Sequence, residues 1–111
     1  MSKVHHLKSW PQFFNPVRAG QRTHELRRDD RNFSVGDMLV LHEFDPETQR
    51  HTGETCEVEI TSITSFAQPC AVSGEALNPN FCILSVLLQH PSIGPDGRLV
   101  PTARKSVAPT A

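Results

Sequence analysis

The chain holds no tyrosine, one tryptophan and only three cysteines among its 111 residues. Each scarcity narrows what it can be. Single-stranded nucleic acids lie on successive aromatic or guanidinium planes, so the lack of tyrosine argues against an extended stacking platform and leaves room for one or two nucleotides. Cys56, Cys70 and Cys82 are odd in number, and none stands in a CxxC pair. That spacing argues against a zinc ribbon and against a disulfide framework, and predicts buried or half-buried thiols in a reducing compartment. No apolar run approaches the roughly 18 residues of a membrane span. The opening MSKVHHLKSW lacks the apolar core of a signal peptide, so a cytoplasmic protein without membrane attachment is expected. The formal net charge of −1 shows no bulk basicity, so contact with a polyanion has to come from a local patch. Six histidines are present without an HxxxH or HExxH spacing. They are read as scattered strand or surface residues; neither a metal nor a cofactor is expected.

What is present reads as one domain, residues 1–90, followed by a proline-rich tail, 91–111, with little structure of its own. Val4 to Lys8 predicts a first strand. Pro11 suits a first helical turn, Phe13, Phe14 and Val17 share an apolar spacing, Pro16 keeps the helix short and Gly20 closes it. Thr23 to Arg27 predicts a second strand, and Met38 to Phe44 a third. Asp45 to Gly53 predicts a hairpin loop, because turn formers crowd it. Glu54 to Ser65 alternates, with Cys56, Val58, Ile60 and Ser62 on one face; Phe81 to Leu88 is a nearly continuous apolar run, as in a buried strand. Five or so strands with one early helix predict a mostly β (α+β) fold, a small and mainly antiparallel barrel.

The segment most charged with chemistry is Arg18 to Arg31, RAGQRTHELRRDDR, with five arginines against three acids. Strand alternation puts Thr23, Glu25 and Arg27 on one face and His24 and Leu26 on the other. Leu26 is expected in the core, which turns the Thr–Glu–Arg face outward or into a cleft. Arginine's planar fork donates two parallel hydrogen bonds to phosphate or a base edge, and a neighbouring carboxylate orients that fork or accepts from a base amino group. The alternative for the same pattern is a surface ion-pair cluster of small energetic consequence. Trp10 either flanks such a cleft or caps the core; the six phenylalanines are expected mostly in the core.

Taken in order, His5-x-Leu7-Lys8-x-x-Pro11-x-x-Phe14, Gly20-x-Arg22-Thr23-x-Glu25-Leu26-Arg27 and Asp30-Arg31-x-Phe33-x-Val35-Gly36-Asp37 resemble the ASCH-type domains of the PUA-like superfamily, over about residues 4 to 65. The resemblance implies a β-barrel with a cleft between barrel and helix, where RNA or modified nucleosides bind. It carries Lys8, Arg22, Thr23, Glu25 and Arg27 into that cleft, with Trp10, Arg28 and Arg31 as further candidates. Asp30 and Arg31 are expected to close a loop by an ion pair, and Gly36-Asp37 to form a turn.

Some members of that wider family are amidohydrolases using a lysine after the helix-closing glycine, a threonine three residues later and a distal glutamate. Arg22 and Glu25 take the first two places here, and Glu75 is the guess for the third. Arginine stays protonated at physiological pH and cannot be a general base, so that mechanism is not supported. The expected function is therefore an RNA- or nucleotide-binding module, with no catalytic residue assigned. Two alternatives stand beside it: a hydrolase of a modified nucleoside or base in which Glu25 activates water, and a protein-interaction adaptor or phage-encoded accessory factor.

Overall fold

The computed structural model describes residues 2–71, 75–89, 92–93 and 99–100. Strand β1, Val4–Ser9, leads through Trp10 into helix α1, Pro11–Arg18; then follow β2, His24–Arg28, β3, Met38–Asp45, β4, Arg50–Ser65, and β5, Phe81–Leu88. The five strands form one curled sheet in the order β1-β3-β4-β5-β2, parallel between β1 and β3 and antiparallel elsewhere. This is the mostly β fold with one early helix that the sequence predicts. Ser92–Ile93 (β6) pairs with Leu99–Val100 (β7). The remainder of the expected tail lies outside the described residues.

Helix α1 starts because Trp10 is extended and its carbonyl takes the first helical bonds, from the Phe13 and Phe14 amides, while Pro11 needs no donor partner. Phe14 and Val17, three residues apart, are buried against the sheet. Gly20 adopts φ 76°, which an L side chain resists, and reverses the chain there. The Gln21 and Arg22 amides both bond the Pro16 carbonyl, so Arg22 is pinned to the helix end as the chain enters β2.

The core is set by period-2 alternation: Leu7 from β1, Leu39 and Leu41 from β3, Val58 and Ile60 from β4, Leu84 and Val86 from β5. A polar set shares that inward parity. Ser9, Glu43, Cys56 and Glu25 are buried beside the apolar residues, and Thr52 Oγ1 donates to Glu43 Oε1 at 2.7 Å. The interior thus has an oily part and a polar part.

Several expectations are corrected. Leu26 is 59% exposed, and Glu25 takes the inward position at 4%. Strand β2 is an edge strand whose inner face meets the polar part of the interior, so the hydrophobic pattern does not set its orientation. Phe13 is exposed rather than core, because Phe14 and Val17 already fill the helix face toward the sheet; Phe66, just past the end of β4, is exposed as well. Strand β5 is half-buried, with Leu87 exposed, since only one face of the sheet is covered. Ser62 is exposed because the β4–β5 register shifts between Ile60 and Ser62 and breaks the alternation. The β3–β4 turn is shorter than expected: Arg50 already pairs with Asp45, and Arg50 to Gly53 belong to β4.

Gly36-Asp37 is a turn, and Asp37 is also a structural hub. Its carboxylate is 1% exposed and accepts from the backbone N–H of Lys3 (2.9 Å) and of Ser34 (3.0 Å), and bonds His5 Nε2 (2.9 Å). Burial alone would raise its pKa. The His5 hydrogen bond and the two backbone donors outweigh that and bring it down to about 2.

Candidate functional site

The two edges of the sheet, β1 and β2, face one another, and arginine side chains bridge them. Arg27 Nη2 donates to the Lys8 carbonyl at 2.9 Å, and Arg31 Nη1 donates to the His6 carbonyl at 3.3 Å. A guanidinium is long enough to reach an unpaired strand edge and carries several donors, so it occupies carbonyls that another strand would otherwise take.

Above this seam, between β1, β2 and the start of α1, lies an open cleft of about 810 Å³. Its polar lining comes from Ser9, Arg22, Glu25, Arg27 and Arg28; its aromatic lining comes from Trp10, Phe13 and Phe81. Six residues singled out from the sequence line it together: Lys8, Arg22, Glu25 and Arg27 from the main set, and Trp10 and Arg28 from the wider one. Thr23 is placed elsewhere, in a separate hollow of about 110 Å³ against Val17, Val58 and Val86. Lys8 contributes mainly its backbone to the seam, because its ammonium sits 4.5 Å from the centre of the Phe44 ring on β3. Arg31 opens onto a second, smaller hollow and binds the His6 carbonyl rather than Asp30, so the expected ion pair within the Asp-Arg step is replaced by a bond across the seam.

Glu25 is the chemical centre of the cleft. Its Oε2 accepts from Arg27 Nε at 2.8 Å, while its Oε1 is buried without a hydrogen-bond partner. An unmatched buried acceptor costs on the order of 1–3 kcal/mol, a cost that a ligand-free fold leaves standing. Arg22 has the complementary defect: its Nε is buried and unmatched, and its guanidinium lies 5.0 Å from the Phe13 ring centre. Arg28 lies 5.0 Å from the ring centre of Phe81. Among the described residues the carboxylate ion pairs of arginine are Arg27–Glu25 and Arg18–Glu54. Arg22, Arg28 and Arg31 therefore keep their positive charge uncompensated by a paired acid, and two of them are held over aromatic rings.

Trp10 and Phe13 are 48% and 40% exposed, with ring centres 6.4 Å apart and planes 30° from parallel. They form a short aromatic ledge at the helix end of the cleft. Phe13 was not legible as a site residue, because its spacing to Val17 suggested core. Glu54 was also missed. It is paired with Arg18 at 2.7 Å, and its Oε2 is buried without a partner; its signal was its place on the inward parity of β4, with Cys56 and Val58. Glu75 is exposed and lines none of these hollows.

Cysteine chemistry finds no support here. Burial, then the nearby Glu25 carboxylate, pushes the Cys56 thiol up to about 12; burial with Asp29 and Asp30 pushes Cys82 up to about 11. Both stay protonated thiols at neutral pH. The histidines are less scattered than the sequence suggests. His6 Nδ1 and His42 Nε2 lie 2.9 Å apart on the outer face, and the His51 ring centre is 6.1 Å from that of His42. Burial, then the charges of His6 and His51, lowers the His42 pKa. Among the described residues no group of three or more His, Cys, Asp or Glu side chains is placed to hold a metal ion, and no helix is long and apolar enough to cross a membrane.

Sequence comparison places these features in a family. An uncharacterized 12.9 kDa protein in the GpA 3′ region of Escherichia phage P2 is 36% identical over 67 residues, which are 60% of this chain and 60% of that protein. The profile of a domain of unknown function, DUF3850, matches residues 4–86, a span that includes β1 through most of β5 and every residue lining the cleft. The chain belongs to the DUF3850 domain family.

Proposed function

We propose that the cleft binds a nucleotide or a short single-stranded stretch of nucleic acid, RNA above all. One observation carries the reading: Arg22 and Arg28, neither paired with a carboxylate among the described residues, line the same cleft as exposed Trp10 and Phe13 and a buried carboxylate with an unmatched oxygen. Phosphate needs cationic donors, a base face needs an aromatic plane, and a base edge needs a polar group held in place. All three lie within a volume suited to a small ligand. The resemblance of the ordered motifs from His5 to Asp37 to ASCH-type, PUA-like domains also supports a nucleic-acid ligand.

The runner-up is a hydrolase of a modified nucleoside or base. Its motivation is the half-matched carboxylate of Glu25, which would activate a water molecule.

Fluorescence anisotropy with short RNA and single-stranded DNA, repeated across salt, tests the binding reading. Affinity should fall as salt rises, and Arg22→Ala should weaken it about tenfold, the loss of one charge-assisted contact. Arg22→Ala is the cleaner variant, since Arg27→Ala would strand Glu25. Absence of binding at low salt, or unchanged affinity in Arg22→Ala, rules the reading out. Turnover of an acylated nucleoside that vanishes in Glu25→Gln would favour the hydrolase instead.

A further inference from the structure

The cleft does not end at Arg27 and Arg28. Both residues also line the second hollow, of about 150 Å³, which lies along the β1–β2 seam between Leu7, Arg31 and Phe33. Resting on the binding reading above, we infer that this hollow is a second phosphate subsite, so that the preferred ligand is a strand of two to three nucleotides rather than a free nucleotide.

Three features support it. The seam fixes the spacing of the cations: Arg27 is anchored on the Lys8 carbonyl and Arg31 on the His6 carbonyl. Those carbonyls are two residues apart on one strand, about 7 Å at roughly 3.3 Å per residue. That separation is close to the phosphate spacing along an unstacked single strand. Second, each anchor is a neutral carbonyl accepting one N–H, which leaves each guanidinium with further donors; Arg27 is paired with Glu25, whereas Arg31 has no carboxylate partner among the described residues. Third, the exposed aromatic ledge of Trp10 and Phe13 belongs to the main cleft, whereas Phe33, the aromatic residue of the second hollow, is half-buried against the core with its ring edge-on to His5. One base stacks at the helix end, and the strand then leaves along the seam by its backbone. Asp30 also lines the second hollow and opposes an anion there, so the subsite is a weak extension of the main one.

The test is a length series. Fluorescein-labelled mono-, di-, tri- and hexanucleotides of one base are titrated by anisotropy into the full chain at two salt concentrations. Affinity should rise about tenfold or more from mono- to trinucleotide and then level off, as added phosphates release counterions. Arg31→Ala should remove most of that rise, lower the salt slope by about 0.7, and weaken the mononucleotide far less than the trinucleotide. Arg31→Lys, which keeps the charge, should retain part of the rise, and Asp30→Ala should tighten the trinucleotide alone. Circular dichroism melts establish that each variant is folded. Equal affinity at every length, or an Arg31→Ala effect as large on the mononucleotide as on the trinucleotide, overturns the second subsite while the main cleft stands. Failure of every length to bind overturns both readings.

Discussion

Asp37 and Glu25 are both carboxylates buried in the same small sheet, yet their surroundings are opposite. Asp37 has donors on both oxygens, from Lys3, Ser34 and His5, tying the start of β1 to the turn before β3. Glu25 has Arg27 on one oxygen and nothing on the other. A buried charge with every lone pair engaged adds rigidity; removing it leaves its donors stranded. A buried charge half engaged leaves an unmet cost inside the fold; Arg18 and Glu54 share that defect outside the cleft, and what marks Glu25 is that its cleft is also lined by Arg22 and Arg28. The same contrast separates the two ends of the molecule: a satisfied hub at Asp37 and a charged, under-satisfied cleft at the helix end.

Four measurements test this contrast between Asp37 and Glu25, in order of effect. Asp37→Asn should be the most damaging single change. It presents an amide to donors that need an acceptor, at a cost of about 3 kcal/mol, and should lower the melting temperature by roughly 10 °C or more. Glu25→Gln should cost only about 1 kcal/mol, because Arg27 keeps its bond to the Lys8 carbonyl, while nucleic-acid affinity changes measurably. If the two substitutions destabilise equally, the distinction between hub and site is lost.

Acid titration gives the next effect. Asp37 titrates at about 2 in the fold against 3.8 ordinarily. A lowered carboxylate pKa means that the unfolded chain binds more protons between these values. The stabilisation, about 2 kcal/mol, is therefore complete above pH 3.8 and lost as pH falls toward 2. Urea melts from pH 5 to pH 2 should show that limb in the native protein and lose it in Asp37→Asn.

Arg22→Ala should leave the melting temperature within a few degrees of the native value, since Arg22 has no carboxylate partner among the described residues, and should act on binding. His42 supplies the smallest effect. Its pKa lies below 6.5 in the fold, so its neutral form is favoured there. Stability should be full above pH 6.5 and decline slightly as pH falls below it. His42→Gln should flatten that decline in melts at pH 7.5 and 5.5; an unchanged slope contradicts the placement of His42 beside His6 and His51.

Much of this was legible before the fold. Pro11, Phe14, Val17 and Gly20 mark the helix through rules that act within a few residues. The inward faces of β3 and of β4 up to Ile60 follow from strict alternation. The arginine-rich segment also pointed to the Thr23–Glu25–Arg27 face, and the family resemblance to Lys8 and Arg22, as neighbours of a cleft; of these Thr23 lies apart. What was hidden depends on contacts far apart in sequence. Leu26 points outward because β2 is an edge strand over a polar interior, a fact settled by β1 and β5. The Asp37 hub needs His5 from another strand, and the approach of His6 to His42 needs the parallel β1–β3 register. Phe13 lies on the cleft side because Phe14 has filled the core. Glu54 is the one missed residue whose clue was local, a charge on the apolar parity of its strand.

The half-satisfied cleft, and not the satisfied hub, is the proposed place where this domain meets its ligand. The most direct measurement is an NMR titration of nitrogen-15-labelled protein with a short single-stranded RNA. Shifts are expected at the Trp10 indole N–H and at the amides of Arg22, Glu25, Arg27 and Arg28, with His5 and Asp37 unmoved. Shifts centred on His5 and Asp37, or none anywhere at low salt, would contradict it.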